Sequence, residues 1–131
     1  MALKRILIVD DDPVARETLS DFLFLLSTKV SCQFKIFEAE NGMQGLEMMR
    51  KHKPHLVFLD VEMPFLNGIG VLQAMKEPFE KDLKTLPVIM TTGCDDIDTV
   101  EASIQKGVKD YLLKPYELPL FLEKVRSVLR L

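Results

Sequence analysis

At 131 residues the chain has room for one domain, expected to span 1–131. Its composition, 47% hydrophobic and 28% charged, is that of a soluble globular protein, and no apolar run approaches the roughly 20 residues of a membrane span. A net charge of −3 argues against a surface that neutralises nucleic-acid phosphates, so no nucleic acid and no membrane is expected as a partner. Cys32 and Cys94 lie far apart, without CxxC or Cys/His metal spacing, and Leu3-Lys4-Arg5-Ile6 lacks a secretory pattern. Reduced thiols and a cytoplasmic location follow as the expectation.

In chain order, Ile6-Leu7-Ile8-Val9 predicts a strand near 4–9 that ends in Asp10-Asp11-Asp12. Asp12-Pro13 then supplies a helix N-cap and a proline at the first helical position, opening a helix near 13–26. Within it, Ala15, Leu19, Phe22 and Leu26 define the buried side and Phe24 points almost opposite. Phe34-Lys35-Ile36 alternates, so the second strand (34–38) is placed at an edge; Asn41-Gly42 begins a helix near 41–51. The apolar run at 55–60 ends in Asp60, and Asn67-Gly68 leads into a helix near 66–76. A fourth strand (86–91) ends in the hydroxyls of Thr91 and Thr92, a fourth helix is expected near 97–106, and Gly107 suits a left-handed position behind it. A fifth strand (110–113) ends at Lys114-Pro115, and a last helix spans about 117–130 with Leu118, Leu122, Val125 and Leu129 as its core stripe. Met43, Met48, Met49 and Met75 read as packing residues, and His52 and His55 as ordinary surface or strand-edge residues.

Five βα units in alternation imply a mostly parallel sheet covered by helices on both faces. In such sheets chemistry sits beyond the carboxyl ends of the strands. Here those ends deliver an acid pair (Asp10, Asp11), a single acid (Asp60), a hydroxyl and a cation (Lys114). Three converging carboxylates repel one another unless a proton or cation intervenes, and an oxygen-rich site with room for water suits Mg²⁺. Asp12 is assigned only the helix cap.

Together these residues resemble the receiver domain of two-component response regulators. The resemblance covers essentially the whole chain and implies a flavodoxin-like (βα)5 fold, strand order 2-1-3-4-5. It makes Asp60 the phosphoacceptor, receiving its phosphoryl group from a sensor histidine kinase or a histidine phosphotransfer protein. Mg²⁺ would be held by Asp11, Asp60 and the backbone carbonyl of Glu62, with Asp10 mostly through water. Receivers place the phosphoryl-binding hydroxyl before a small residue, which selects Thr92 beside Gly93; Lys114 completes the cage. Tyr111 matches the aromatic that turns inward after Thr92 moves, and the Lys114–Pro115 bond is expected to be cis. The output face would be the fourth helix, fifth strand and fifth helix, which is also a possible homodimer surface. Such a domain is not an enzyme with a separate substrate, and its downstream effector is unspecified.

Two stretches look longer than usual for the family: about Ser27–Gln33, expected either to fold back over Phe24 or to leave it as a docking residue, and Glu77–Leu86. Glu62 and Cys94 occupy positions that tune dephosphorylation in receivers. The main alternative is a degenerate receiver serving as a constitutive interaction module, although all five key residues are present. A haloacid-dehalogenase-like phosphatase usually places its remaining acids after the lysine. A flavodoxin-like binder would set Asp10-Asp11-Asp12 against a phosphate.

Overall fold

A computed structural model describes residues 2–93, 98, 102 and 107–131. Five strands, β1 (Ala2–Val9), β2 (Cys32–Ala39), β3 (Leu56–Asp60), β4 (Val88–Thr92) and β5 (Asp110–Leu113), form one parallel sheet in the order β2-β1-β3-β4-β5. Between them run α1 (Pro13–Ser27), α2 (Gly42–His52) and α3 (Gly68–Met75), and a C-terminal helix spans Leu118–Leu129. The expected helix near 97–106 and Cys94 lie outside the described residues, apart from Asp98 and Ala102, which are helical. No helix among the described residues is long and apolar enough to cross a membrane.

The pleat divides each buried strand between two cores, because successive side chains point to opposite faces. Leu7, Val9, Val57, Leu59 and Met90 pack with Leu46, Met49, Val71 and Leu72 of α2 and α3. Ile6, Ile8, Leu56, Phe58 and Ile89 pack with Leu19, Leu23 and Leu26 of α1 and with the C-terminal helix. Both faces are covered, which is why β1, β3 and β4 read as continuous apolar runs. The alternating strand, β2, is indeed an edge.

Side-chain caps set the helix starts. Asp12 accepts from the Val14 amide at 3.0 Å, Asn41 from Gln44 at 2.9 Å and Asn67 from Gly70 at 2.9 Å. Two stripes differ from expectation. In α1 Leu23 is fully buried, whereas Phe22 is half-buried with its ring edge-on to Phe121 at 5.3 Å. In the C-terminal helix Phe121, Val125 and Leu129 form the buried line, and Leu118 and Leu122 flank it. The pull comes from Phe121, whose ring stacks on Phe58 at 5.8 Å.

The extra length at 27–33 is absorbed by α1 and β2, which leave only residues 28–31 between them. No fold-back covers Phe24, which stays 69% exposed. The 77–86 stretch is tied down instead. Leu83 enters the α2–α3 core, and buried Glu80 accepts from Arg50 of α2 at 2.7 Å. Met49 and Met75 are core residues as expected, but Met43 is 60% exposed and lies outside both cores. His52 stacks on Phe37 at 3.9 Å, and His55 accepts the Arg5 amide at 2.9 Å, extending the β1–β3 pairing.

Candidate functional site

Strand pleating alone brings three charges together. Asp10, Asp60 and Lys114 each lie two residues past an apolar side chain of the α1-side core, namely Ile8, Phe58 and Leu112. They therefore emerge on the same face, Asp10 and Asp60 at the ends of the adjacent strands β1 and β3 and Lys114 reaching across β4 from the end of β5. Asp10 and Asp60 are only 1% and 2% exposed. The Lys114 ammonium donates to Asp10 at 2.8 Å and sits 3.4 Å from Asp60, so in this state its principal partner is Asp10 rather than Asp60. The Lys114–Pro115 bond is cis, and the Lys114 amide still donates to the Thr92 carbonyl at 2.8 Å.

The loops fix the remaining orientations. Asp10 accepts the Asp12 amide at 2.9 Å, so one carboxylate oxygen braces the turn while the other holds Lys114. Arg16 donates to the Asp10 carbonyl at 2.7 Å and to Glu38 at 3.1 Å, pinning that turn from α1. Behind Asp60, the Gly68 amide returns to the Val61 carbonyl at 3.0 Å. A Cβ on Gly68 would stand 2.4 Å from the Asp60 carbonyl oxygen, so only glycine allows α3 to start this close to the acid.

Burial first, and the charge of Asp10 second, push the Asp60 carboxyl up to about 7, against the lowering effect of Lys114 and the Glu62 amide. Burial by itself would lower the Lys114 pKa, but the Asp10 hydrogen bond and the Asp60 charge outweigh it and the pKa is raised. The lysine is thus firmly cationic beside an acid reluctant to ionise.

Oxygens of Asp10, Asp11 and Asp60 all lie within 4.8 Å of one another. An octahedral Mg²⁺ with ligands near 2.1 Å needs oxygens about 3–4.2 Å apart, so the three carboxylates fit such an ion after small adjustments. Asp11 is exposed, leaving one side of the cluster open to water.

Thr92 is 2% exposed, and its hydroxyl donates to Glu62 at 3.1 Å. Glu62 thus meets the site through its side chain as well as through the peptide expected to contribute. Gly93 has open space where a Cβ would stand, so no close backbone approach requires glycine there. Tyr111 is half-buried with the Lys124 ammonium 4.5 Å from its ring centre. Lys124 also donates to Asp110 at 2.9 Å and to the Tyr111 carbonyl at 2.8 Å, so a cation clamps the β5 end.

Tyr116 escaped the sequence reading, although it is an aromatic directly behind the Lys114-Pro115 turn. Its hydroxyl is buried next to Thr91, in the electrostatic reach of Lys114, Asp10 and Asp60. Burial pushes the phenol up to about 12, keeping it neutral. The Tyr116 ring packs against the α1-side core.

Comparison with known proteins agrees with this geometry. The sequence model of the response regulator receiver domain matches residues 6–126. The probable C4-dicarboxylate response regulator DctR of Bacillus subtilis (strain 168) is 33% identical over 126 residues, 95% of this chain and 50% of DctR. The response regulator MprA of Mycobacterium sp. (strain KMS) is 32% identical over 126 residues, 96% of this chain and 50% of MprA. The chain therefore spans about half the length of these curated relatives. Among solved structures, a putative response regulator from Chloroflexus aurantiacus J-10-fl superposes with a TM-score of 0.82 at 29% identity, covering 98% of each chain. The chemotaxis protein CheY4 of Vibrio cholerae, at 22% identity with a TM-score of 0.83 and 97% and 99% coverage, shares the fold. With the family model spanning nearly its full length and the strand order and relatives in agreement, the chain belongs to the response regulator receiver domain family.

Proposed function

We propose that this domain accepts a phosphoryl group on Asp60 from a partner's phosphohistidine and relays the change to a protein-binding face. The observation that carries the reading is the convergence of Asp10, Asp11, Asp60 and Lys114 at one sheet edge, with Asp60 buried at its centre. An Asp60 carboxylate oxygen forms the O–P bond as the donor's N–P bond breaks. The imidazole leaves with that electron pair and takes up a proton from solvent.

The protein's contribution is positioning and charge. Asp10, Asp11 and Asp60 would hold Mg²⁺, with the Glu62 carbonyl. When bound, Mg²⁺ neutralises charge on the phosphoryl oxygens. Burial and Asp10 oppose ionisation of Asp60, so a cation held by these carboxylates would favour the ionised form that attack requires. Lys114 is poised between Asp10 and Asp60, so a short swing carries it to a phosphoryl oxygen. Thr92 and the Gly93 amide supply the other donors, and for Thr92 that means giving up its bond to Glu62. Tyr111 would follow Thr92, and in doing so it must break from Lys124. That links the phosphorylation edge to the β5 and C-terminal-helix surface as a population shift. The phosphodonor is a sensor histidine kinase or phosphotransfer protein, the domain is a cytoplasmic signalling module, and no substrate other than its own aspartate is turned over.

Acetyl phosphate with Mg²⁺ should produce a slower-migrating phosphorylated species on phosphate-affinity electrophoresis. Chelation of Mg²⁺ or Asp60→Asn should abolish it. A species that survives both treatments would refute the proposal.

A further inference from the structure

We infer that Phe65, with Met43 and Leu66, is the surface on which the phosphodonor protein rests while its phosphohistidine reaches Asp60; the inference builds on the phosphoacceptor reading. Phe65 has φ 68°, and the Leu66 amide donates across it to the Pro64 carbonyl at 2.9 Å. That is a γ-turn of the rare positive-φ kind, strained for any residue with a side chain and natural for glycine. The ring is nevertheless fully exposed, at 106%, and so adds nothing to the core. Neither the turn nor packing accounts for a phenylalanine here, and an external ligand does.

The loop backbone that carries the ring is held on both sides. The Gly68 amide closes the loop on Val61, and a Cβ on Gly42 would lie 2.8 Å from the Leu66 carbonyl oxygen, so α2 presses against the loop. Between Phe65 and Met43 opens a cleft of about 560 Å³ that Asp11 and Glu40 also line. Met43 is 60% exposed at the start of α2, where Gly42, Gly45 and Leu46 are buried.

The occupant follows from continuity with the acid site. Asp11 belongs both to this cleft and to the carboxylate cluster. Asp60 is 2% exposed at the bottom, so a macromolecular donor must rest its body on the rim to bring an imidazole to it. The rim is apolar at Phe65 and Met43 and acidic at Asp11 and Glu40. The matching donor surface is an apolar side chain flanked by lysine or arginine.

The test uses a purified phosphohistidine-bearing phosphotransfer domain chosen because it labels the wild-type chain rapidly. Acetyl phosphate, too small to touch Phe65 while reacting at Asp60, provides the reference. Phe65→Gly should lower the protein-donor rate at least tenfold relative to that reference and should raise the melting temperature by relieving the turn. Met43→Ser should lower the same ratio severalfold, and Glu40→Lys should weaken the salt dependence of transfer. Unchanged ratios in Phe65→Gly, an equal fall with both donors, or a lowered melting temperature would overturn the inference. Concentration-dependent dimerisation lost in Phe65→Gly with unchanged transfer would assign the face to a second copy and overturn it too. Failure of the wild-type chain to accept phosphate from acetyl phosphate would instead remove the phosphoacceptor reading beneath it.

Discussion

Replacing Asp60 by asparagine should stabilise the metal-free protein at neutral and alkaline pH. In the folded state burial and the Asp10 charge hold the Asp60 carboxyl up to about 7, whereas an unfolded chain has it near 3.8. Between these values the folded protein binds a proton that the unfolded chain has already lost. The contribution of Asp60 to stability is therefore greatest below about pH 4, falls as pH rises toward 7, and levels off above it. At about 1.4 kcal/mol per pKa unit, the full loss is about 4 kcal/mol. Asparagine keeps the shape and carries no charge. The Lys114 contact at 3.4 Å is already contained in that pKa shift, and Lys114 keeps its shorter partner Asp10. The net expectation at pH 8 is a gain of up to about 4 kcal/mol for Asp60→Asn, shrinking to nothing at pH 4. Urea unfolding followed by circular dichroism in chelator, at pH 4, 6 and 8, measures this directly. Adding Mg²⁺ at pH 8 should restore much of the difference to wild type and little to the variant. A variant less stable than wild type at pH 8, or a difference independent of pH, would refute the electrostatic reasoning.

Other substitutions separate neighbouring roles. Asp11→Ala should abolish the Mg²⁺-dependent stabilisation and acetyl phosphate labelling, whereas Asp12→Ala should cost about 1 kcal/mol of stability and leave labelling intact, since Asp12 caps α1 through the Val14 amide; the reverse pattern would shift the site by one residue. Glu62→Ala should raise steady-state phosphorylation severalfold by releasing the Thr92 hydroxyl and removing a charge, while Glu62→Gln, which keeps an acceptor, should raise it less; a fall in both variants would show that Glu62 assists the reaction. Phe24→Ser should change stability by less than about 0.5 kcal/mol, because the ring is 69% exposed, and should weaken binding of a partner that docks on α1. A large loss of stability with unchanged partner binding would make Phe24 structural.

The parts of this molecule legible in sequence were those with a strong local cause. Continuous apolar runs identified β1, β3 and β4 because both their faces are buried, and the acids that follow β1 and end β3 marked the edge where the carboxylates converge. Asp12, Asn41 and Asn67 announced helix starts because a short acceptor side chain satisfies a free amide there. What escaped the reading depends on three-dimensional neighbours. The pairing of Lys114 with Asp10, the Thr92–Glu62 bond and the buried neutral phenol of Tyr116 join residues up to 104 positions apart. The buried line of the C-terminal helix moved to Phe121 because two aromatics on other elements, Phe22 and Phe58, meet it. Phe65 carried no sequence signal at all, because a phenylalanine after Met63-Pro64 discloses nothing of its positive φ.

The central claim is that Asp60, at the floor of the acid cluster, is where phosphate arrives. Tandem mass spectrometry of the chain after brief incubation with acetyl phosphate and Mg²⁺, kept cold to preserve the acyl phosphate, tests it most directly. The account predicts a phosphoryl group on Asp60 alone, absent when Mg²⁺ is chelated. A phosphoryl group mapped to Asp10, Asp11, His52 or His55, with Asp60 unmodified, would contradict it.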